Sequence, residues 1–387
     1  MKHRITKKKA PYKKHKRTQK KGGKVIGSGG YGCVFRPALK CKGQKRRQRG
    51  YVSKLMMKKH AEREHEEINK ILPKLKNIPE FNNYFLINNV NICSPASLQK
   101  KDLNQFNKKC KTLRKKDITS HNINEKLDIL YSLNLPDGGV ELGTYFKEIY
   151  KNSSKLEQIN HYLIELLIRG IIPMNKMNIY HADIKESNIL VDKKKSYPRL
   201  IDWGLAFYNT GNDIPSILWN KPLQYNLPFS VILFNDTFEN MYLDFLSEYD
   251  IRNHNAERNL IDFVRSYVNV WNKERGEGHL KTIQIIWEGV TGTKNVTNDV
   301  IVPYLTKILM TFTNNQKLNL KSYFKNVFLK NIDIWGFLMA YSPLLELNVT
   351  LDIDEIISYI YITKLYEHAT QPININQLVQ QLEYLVL

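Results

Sequence analysis

The sequence is poor in the features of membrane and metal-binding proteins. It has no apolar run of the roughly 18 residues that a membrane-spanning helix requires. Its N-terminal charges precede no apolar core, which argues against a secretory signal. Its four cysteines, Cys33, Cys41, Cys93 and Cys110, show no paired C-x-x-C spacing. We therefore expect no zinc site, and we predict free thiols in a reducing compartment.

Acidic residues are absent from the first 24 positions, which hold twelve Lys or Arg in a chain of net charge +22. Such a segment cannot be buried and is disordered by composition. It is interpreted either as an electrostatic arm for nucleic acid, an acidic protein or a localisation receptor, or as a solubilising tail. Two further basic stretches, 40–49 and 100–116, are interpreted as solvated surface loops.

The first third of the chain has the periodicity of a sheet with one helix. Lys24–Arg36 reads as strand, glycine turn and strand, and Tyr51–Met56 reads as a third strand. Residues 60–76 have apolar positions at helical spacing. Tyr84–Val90 and Lys126–Leu135 are predicted to be later strands of the same sheet, separated by a long polar insertion.

The remainder has a helical pattern after a breaker and hinge at 136–139. Leu156–Met177 has apolar residues on one face, and further helical stretches fill 231–332 and 333–387. The fold class is therefore α+β. We predict a basic tail over 1–24, a small β-rich domain over 25–135, and a larger, mainly helical domain over 136–387 with an insertion at about 231–332.

The glycine turn has the composition of a phosphate-binding loop. Glycine at 27, 29 and 32 lets backbone N–H groups approach a phosphate without a Cβ in the way. A Rossmann turn shares this spacing but leads into a helix, whereas here Cys33-Val-Phe continues as a strand. The expected nucleotide-contacting positions are Ile26, Gly27, Ser28, Gly29, Gly30, Tyr31, Gly32 and Val34.

Lys54 lies on an apolar strand 22 residues after Gly32, where an unpaired lysine would be costly. We expect it to bind the α- and β-phosphates of a nucleotide while tethered by a helix glutamate. Glu64 is the first choice, because Ile68 and Ile71 follow it on one helix face, and Glu67 is the competitor.

The most informative segment is Tyr180–Val191, followed by Asp202-Trp-Gly. Asp183 is the candidate base for an acceptor hydroxyl, and Lys185 can neutralise charge on a moving phosphate. Asn188 and Asp202 offer the oxygen ligands that magnesium prefers. His181 is interpreted as a packing and hydrogen-bonding residue. Together these residues indicate phosphoryl transfer from ATP.

These motifs resemble those of eukaryotic-type protein kinases over about 24–341, including a D-x-W segment at Asp333-Ile-Trp335. The resemblance implies a bilobal fold, ATP with Mg²⁺ or Mn²⁺, protein substrates, and a nucleotide-binding hinge near Asn134 and Leu135. Lys185 is similar to the serine/threonine class. In that family the aspartate of the D-x-W segment braces the catalytic loop, which is the role that the resemblance implies for Asp333.

A narrower resemblance is to serine/threonine kinases of large nucleocytoplasmic DNA viruses. It is carried by the glycine turn 26–35, by 37–41 and by 221–230, and the basic tails look similar. It implies an intracellular location in the host cytoplasm or nucleus, or packaging in a virion. The basic segments favour acidic or nucleic-acid-associated substrates, with non-specific nucleic-acid contact through residues 2–24.

The sequence departs from the protein kinase pattern at several points. Ala182 stands where many kinases have the arginine that receives a phosphorylated activation loop, which implies a kinase not switched that way. Trp203 replaces the usual phenylalanine, and the usual A-P-E sequence is missing. About a hundred residues separate Ser230 from Asp333.

Two other functions compete with a protein kinase. A small-molecule phosphotransferase of the aminoglycoside or choline kinase type shares the H-x-D-x-x-x-x-N frame and an Ile-Asp-Trp sequence. Lys185, the full glycine loop and Asp333-Ile-Trp argue against it. A pseudokinase scaffold that works through its basic arm is the second rival, and the intact catalytic positions argue against that.

Overall fold

The computed structural model describes residues 23–250, 256–347 and 349–386. Residues 1–22 of the predicted basic tail, 1–24, lie outside these ranges. No helix within the described ranges is both long and apolar enough to cross a membrane. The chain forms two units, the first comprising the described residues up to Lys58 with Cys93–Asn134, and the second Lys59–Ile92 with the chain from Leu135 onward. The predicted domain boundaries at 25–135 and 136–387 stay a prediction.

A five-stranded sheet forms the centre of the first unit. In chain order its strands are Lys24–Ser28 (β1), Gly32–Arg36 (β2), Tyr51–Met57 (β3), Asn91–Cys93 (β4) and Leu130–Pro136 (β5). Their order across the sheet is β1-β2-β3-β5-β4. The glycine turn joins β1 to β2, as predicted. β2 pairs antiparallel with β1 on one side and with β3 on the other.

The two faces of this sheet differ because side chains alternate along a strand. Cys33 of β2 pairs with Leu55 of β3, and both belong to the apolar cluster of the unit. The next pair, Val34 with Lys54, therefore points to the opposite face. The polar insertion covers the apolar face with Phe106, whose helix, Phe106–Lys109, is followed by another at Lys111–Arg114.

The cysteines overturn one prediction. All four are paired, Cys33 with Cys110 and Cys41 with Cys93, so the expectation of free thiols is wrong. The bridges close loops over sequence separations of 77 and 52 residues. Cys33 on β2 is joined to Cys110 in the polar insertion, and Cys41 in the loop after β2 is joined to Cys93 on β4. Spacing along the chain gave no sign of this, because the partners meet only after the sheet has formed.

The segment Tyr84–Val90 is not the sheet strand that was predicted. It makes one parallel bridge, between Phe85 and Leu200, within the second unit. Asn89 then adopts a left-handed backbone with φ of 58°, which ends the extended run before β4. The last predicted strand is confirmed but begins later, because Leu127–Ile129 forms a 3₁₀ turn ahead of Leu130.

Short strands frame the catalytic motifs in the second unit. Ile179–Tyr180 pairs with Phe207–Tyr208, and Ile189–Val191 pairs with both Val140–Glu141 and Pro198–Leu200. The loops after Tyr180 and Leu200 carry Asp183 and Asp202, as the sequence predicted.

Apart from a short antiparallel pair, Thr313–Asn314 with Lys317–Leu318, the rest of the second unit is mainly helical, which confirms the predicted α+β fold class. Its helices are Lys58–Leu75, Leu142–Ile149, Ser153–Glu165, Ile172–Lys176, Asp236–Glu248, Ala256–Arg275, Leu280–Thr291, Val302–Phe312, Leu320–Tyr323, Leu329–Met339, Ser342–Leu347, Leu351–Ile360 and Ile375–Glu383. Wider π-type turns, Leu166–Ile171, Thr297–Ile301, Phe324–Phe328 and Tyr361–Tyr366, continue four of them.

The helices of 231–332 pack into the core of this unit. Phe229 makes edge-on ring contacts with Trp287, Tyr304 and Trp335, at centroid distances of 5.7, 5.3 and 5.1 Å. All four rings are almost fully buried. The insertion therefore shares its apolar core with Trp335 of the D-x-W segment and with the chain just after residue 221.

Candidate active site

Three side chains hold the carboxylate of Asp183. Lys185 Nζ donates to Oδ1 at 2.8 Å and to Oδ2 at 3.0 Å. Asn188 Nδ2 donates to Oδ2 at 2.9 Å and also to the Asp183 carbonyl at 2.8 Å. Asn226 Nδ2 donates to Oδ1 at 2.9 Å. Each carboxylate oxygen thus accepts two hydrogen bonds, which fixes the orientation of the carboxylate in a residue that is only 8% exposed.

The backbone beside Asp183 is held by Asp333. Its carboxylate accepts the N–H of His181 and the N–H of Ala182, each at 2.9 Å, and Nδ2 of Asn175 at 2.7 Å. Ala182 has a φ of 56°, a left-handed conformation that costs a residue with a Cβ about 1–2 kcal/mol. The bracing expected of Asp333 is confirmed. Burial raises the pKa of Asp333, and the three donated hydrogen bonds oppose that shift.

His181 is a structural residue of the same loop. Its ring is fully buried, and Nε2 lies 2.9 Å from the carbonyl of Ile201, so Nε2 must carry the proton. The ring packs edge-on against Trp203 at 4.9 Å, and Trp203 packs edge-on against Phe85 at 5.5 Å. His181 therefore links the Asp183 loop to the Asp202 loop. The indole of Trp203 fills a packing position.

Asn188 and Asp202 have the donor chemistry for a magnesium ion. Both hydrogen bonds of Asn188 described above use Nδ2, which directs the amide oxygen away from Asp183. Asp202 has a left-handed backbone, φ 63° and ψ 70°, at the start of the turn Trp203–Leu205. No group of three or more His, Cys, Asp or Glu within the described ranges could hold a metal ion. One amide and one carboxylate suit magnesium, which commonly takes its other ligands from phosphates and water.

The structure distinguishes the two candidate glutamates. Glu64 is buried at 4% exposure, and a Cβ built on Gly204 would lie 3.4 Å from its Oε2 and 3.6 Å from Oδ1 of Asp202. Glu67 instead accepts a hydrogen bond from Lys70 at 2.7 Å on the open face of the helix. Only Glu64 therefore lies beside the Asp202 loop.

The glycine loop in the first unit uses its glycines in two ways. A Cβ on Gly32 would lie 2.4 Å from the carbonyl of Leu55, so packing against β3 requires glycine there. A Cβ on Gly27, Gly29 or Gly30 would meet no protein atom within 4 Å. Packing does not account for these three glycines, whereas the approach of a phosphate to the backbone would.

Thr112 of the polar insertion contacts this loop. Its Oγ1 donates to the carbonyl of Gly29 and lies 3.0 Å from Oγ of Ser28, while its backbone N–H donates to Ser28 Oγ at 3.2 Å. The neighbouring Cys110 is bonded to Cys33, just after the loop. The polar insertion therefore restrains the loop from both ends of its turn.

Two more predicted residues have buried side chains. Lys54 is 6% exposed on the face of the sheet opposite the apolar cluster. Asn134 is 1% exposed, and its Oδ1 accepts hydrogen bonds from Ser53 at 2.5 Å and Ser132 at 3.0 Å. The side chain of Asn134 is therefore part of a buried network, and only its backbone could contact a nucleotide. Leu135 follows it as the first residue of the second unit's later segment.

The sequence model described as "Protein kinase domain" matches residues 21–216, which is 196 of the 387 residues. This segment contains the glycine loop, Lys54, Asp183, Asn188 and Asp202 in chain order. The chain belongs to the protein kinase family. Its kinase domain has the fold class and the catalytic motifs that the sequence predicted.

One curated relative of this kinase domain is casein kinase II subunit alpha' of Saccharomyces cerevisiae (strain ATCC 204508 / S288c). The two are 41% identical over 69 residues, which is 18% of this chain and 20% of the yeast protein. The aligned part is thus about a fifth of that relative's length.

Beyond the family match, the kinase domain is completed by the segment 221–229, to which sequence reasoning gave no catalytic role. Besides Asn226, it contributes Tyr225, whose hydroxyl donates to Oε2 of Glu186 at 2.8 Å. Burial raises the pKa of Tyr225, and the charge of Glu186 raises it further. Burial lowers the pKa of Lys221, which lies close enough to Asp183 and Lys185 to respond to both charges.

Three groups anchor this segment of the kinase domain through its backbone carbonyls. Trp271 Nε1 donates to the carbonyl of Lys221 at 3.0 Å, and the N–H of His279 donates to that of Leu223 at 2.8 Å. Trp335 Nε1 donates to the carbonyl of Tyr225 at 2.9 Å. The resemblance over 221–230 was the available signal for these residues. Their contacts depend on helices fifty or more residues away, which no local pattern reports.

Proposed function

We propose that this protein is a serine/threonine protein kinase that transfers the γ-phosphoryl group of Mg-ATP to protein hydroxyls. The observation that carries the proposal is the Asp183 carboxylate held by Lys185, Asn188 and Asn226. A base with this fixed orientation can accept the proton of an acceptor hydroxyl as the phosphoryl group moves. Lys185, bonded to that carboxylate, can share its charge with the transferring group, and its presence supports the serine/threonine class.

The nucleotide would be bound by the residues that the sequence predicted for this role. The backbone N–H groups of 27–32 would bind the phosphates, because packing does not account for three of those glycines: a Cβ there would have no protein atom within 4 Å. Lys54 would bind the α- and β-phosphates with Glu64 as its acidic partner. The backbone of Asn134 and Leu135 would contact the base.

Asn188, through its amide oxygen, and Asp202, through its carboxylate, would hold the magnesium ion. When bound, the metal neutralises charge on the phosphates. Manganese takes the same kind of oxygen ligands and would be accepted. A Cβ on Gly204 would make only ordinary van der Waals contacts with Glu64 and Asp202, so packing alone does not require glycine there.

We further propose that the kinase is active without phosphorylation of an activation loop. Ala182 offers no guanidinium to receive such a phosphate. Instead, Asp333 and Asn226 hold the backbone and the carboxylate of the catalytic loop by direct hydrogen bonds.

The resemblance to kinases of large nucleocytoplasmic DNA viruses supports a viral origin as a proposal. The two disulfides favour packaging in a virion over the reducing cytoplasm or nucleus of a host cell. The charge of +22 supports acidic or nucleic-acid-associated substrates.

The test is a phosphate-transfer assay with purified protein, labelled ATP and mixed protein acceptors, under both magnesium and manganese. Asp183→Asn, Asp202→Asn and Lys54→Met serve as inactive controls. We expect transfer to serine or threonine that is lost in all three variants. Wild-type transfer no higher than that of Asp202→Asn would refute the enzyme and favour a scaffold. Transfer only to amino-alcohols or sugars would favour a small-molecule phosphotransferase.

A further inference from the structure

The positive charge of the protein is concentrated in one place within the folded chain. Residues 23–58 and 93–134, the described part of the first unit, hold 19 Lys or Arg and four Asp or Glu, a net charge of +15. The second unit, 59–92 and 135–387, holds 29 basic and 33 acidic residues, a net charge of −4. Even without the N-terminal tail, the positive charge is therefore carried almost entirely by the first unit.

The two basic stretches of the first unit, 40–49 and 100–116, lie side by side. Arg47 forms an ion pair with Asp102, in which Nη2 donates to Oδ1 at 2.9 Å and to Oδ2 at 2.7 Å. The loop that begins the first stretch is bonded to the start of the polar insertion by Cys41–Cys93 and by the N–H of Ala96, which donates to the carbonyl of Lys40 at 2.7 Å. Together the two stretches form what we call the basic surface.

The basic surface has almost no internal neutralisation. Asp102 is the single acidic residue in the two stretches, and it is 1% exposed and occupied by Arg47. Four Lys or Arg of 40–49 and eight of 100–116 are exposed. Their charges therefore add to one field, which attracts anions in proportion to their charge density.

The basic surface is also rigidly supported. Phe106 and Leu113 of the second stretch are fully buried in the apolar cluster, and Cys110 is bonded to Cys33 of β2. The lysines between these anchors, such as Lys108, Lys109 and Lys111, are exposed. Because the backbone is already ordered, binding an anion costs only side-chain entropy.

The composition of the surface identifies the kind of partner. The large exposed apolar residues of the first unit are Ile26, Tyr31 and Ile129, and none lies in either stretch. A protein interface needs an apolar or aromatic centre and is depleted in lysine. A single-stranded nucleic acid needs aromatic side chains for base stacking. The phosphates of a duplex need only cations at a folded surface.

We propose that the basic surface binds the phosphate backbone of duplex nucleic acid without reading its sequence. The binding site belongs to the folded first unit and is separate from the arm expected over residues 2–24. It would bring the kinase to substrates that are themselves bound to nucleic acid. This inference does not rest on phosphotransfer, so a failure of the proposed enzyme activity would leave it intact.

The test uses full-length protein and three five-site charge reversals to glutamate. The surface variant changes Lys108, Lys109, Lys111, Lys115 and Lys116. The matched control changes exposed lysines of the second unit, Lys147, Lys155, Lys194, Lys195 and Lys281, and so has the same net charge. The tail variant changes Lys7, Lys8, Lys9, Lys13 and Lys14.

Binding to short duplexes of DNA and of RNA, each in two unrelated sequences, is measured by fluorescence anisotropy against salt concentration. Each lost phosphate contact lowers the slope of log K against log salt by about 0.9. We expect the surface variant to lose about three or four units of slope and more than tenfold in affinity, with unrelated sequences bound alike. The second-unit control should bind as the wild type does, and melting curves should show all variants folded.

Three results would overturn the proposal. One is a wild-type slope in the surface variant, with binding lost only in the tail variant. A second is an equal loss in the second-unit control, which would reduce the effect to net charge. The third is competition by polyglutamate: if it displaces the bound duplex as efficiently as an unlabelled duplex of equal charge does, the surface would be assigned to acidic proteins.

Discussion

Asn226 donates a hydrogen bond from Nδ2 to Oδ1 of Asp183 at 2.9 Å, across 43 residues of sequence. It comes from the segment 221–229, and its side chain is fully buried. Trp335 holds the carbonyl of the preceding Tyr225 at 2.9 Å. This tryptophan lies two residues after Asp333, so it connects the residue that braces the catalytic loop to Asn226, which orients the Asp183 carboxylate.

Replacing Asn226 by alanine should lower kcat with little change in KM for ATP. A buried hydrogen bond to a charged group contributes about 1.5–3 kcal/mol, which corresponds to roughly a tenfold to hundredfold loss. Steady-state kinetics would measure this. Asn235→Ala is the matched control, since Asn235 is equally buried but caps a helix away from Asp183. Unchanged kcat in a folded Asn226→Ala protein would show that Asn226 does not position Asp183.

Replacing Asp333 by asparagine should destabilise the protein and abolish phosphotransfer. The carboxylate accepts three N–H groups, and an amide would turn its own NH₂ toward at least one of them. Leaving buried donors unpaired costs about 1–3 kcal/mol for each group. Thermal melting would detect this. Asp262→Asn, at an exposed pair with Arg265, should melt near the wild type. Equal melting of both variants would contradict the bracing role.

The candidate catalytic residues could be found from sequence because their spacing is local. Asp183, Lys185 and Asn188 lie within six positions, and a loop between two short strands is enough to bring them together. Asn226 could not be predicted in this way, because its position depends on Trp271, His279 and Trp335. The motif spacing therefore defines the reacting groups, whereas the distant helices define how they are oriented.

The errors in the fold have the same origin. Tyr84–Val90 has the apolar pattern of a strand, but a strand also needs a neighbour, and its extended part finds only Leu200 before Asn89 turns the chain. The cysteines carry no pairing signal at their spacings, and their contacts appear only once the polar insertion packs on the sheet. Periodicity predicts which residues are extended or buried, and tertiary packing selects their partners.

Replacing Thr112 by valine should weaken ATP binding. Valine keeps the shape but removes the hydroxyl that bonds to Gly29 and Ser28. A net loss of about 0.5–1.5 kcal/mol, the usual contribution of one hydrogen bond, predicts a KM for ATP raised roughly twofold to tenfold, with kcat nearly unchanged. Thr119→Val is the control, because the hydroxyl of Thr119 bonds within its own turn, to Asn122 and to the N–H of His121. Equal KM values in the two variants would contradict the restraint.

The two disulfides make a direct prediction for the thiol content. Alkylation of the unfolded, non-reduced protein should label none of the four cysteines, and reduction should expose all of them. Reduction should also lower Tm, because cross-links over loops of this size typically stabilise a fold by about 2–4 kcal/mol. Cys110→Ser should leave Cys33 reactive and Cys41 protected. Labelling of all four cysteines in the unfolded, non-reduced protein would instead support the expectation of free cysteines.

His279 should make stability depend on pH. Burial lowers its pKa below the ordinary 6.5, and the charge of Lys185 lowers it further while Asp183 opposes the shift. The unfolded chain therefore takes up this proton first as pH falls. The contribution of neutral His279 to the free energy of unfolding is present in full above about pH 6.5. It is lost as the pH falls from there through the lower pKa of the folded state.

His279→Gln removes this proton uptake while keeping the backbone N–H that donates to Leu223. The drop in Tm between about pH 7.5 and about pH 5 should be smaller in this variant than in the wild type. Comparing the two proteins isolates His279 from the other nine histidines, since these are unchanged. A Tm drop in His279→Gln equal to that of the wild type would contradict the lowered pKa.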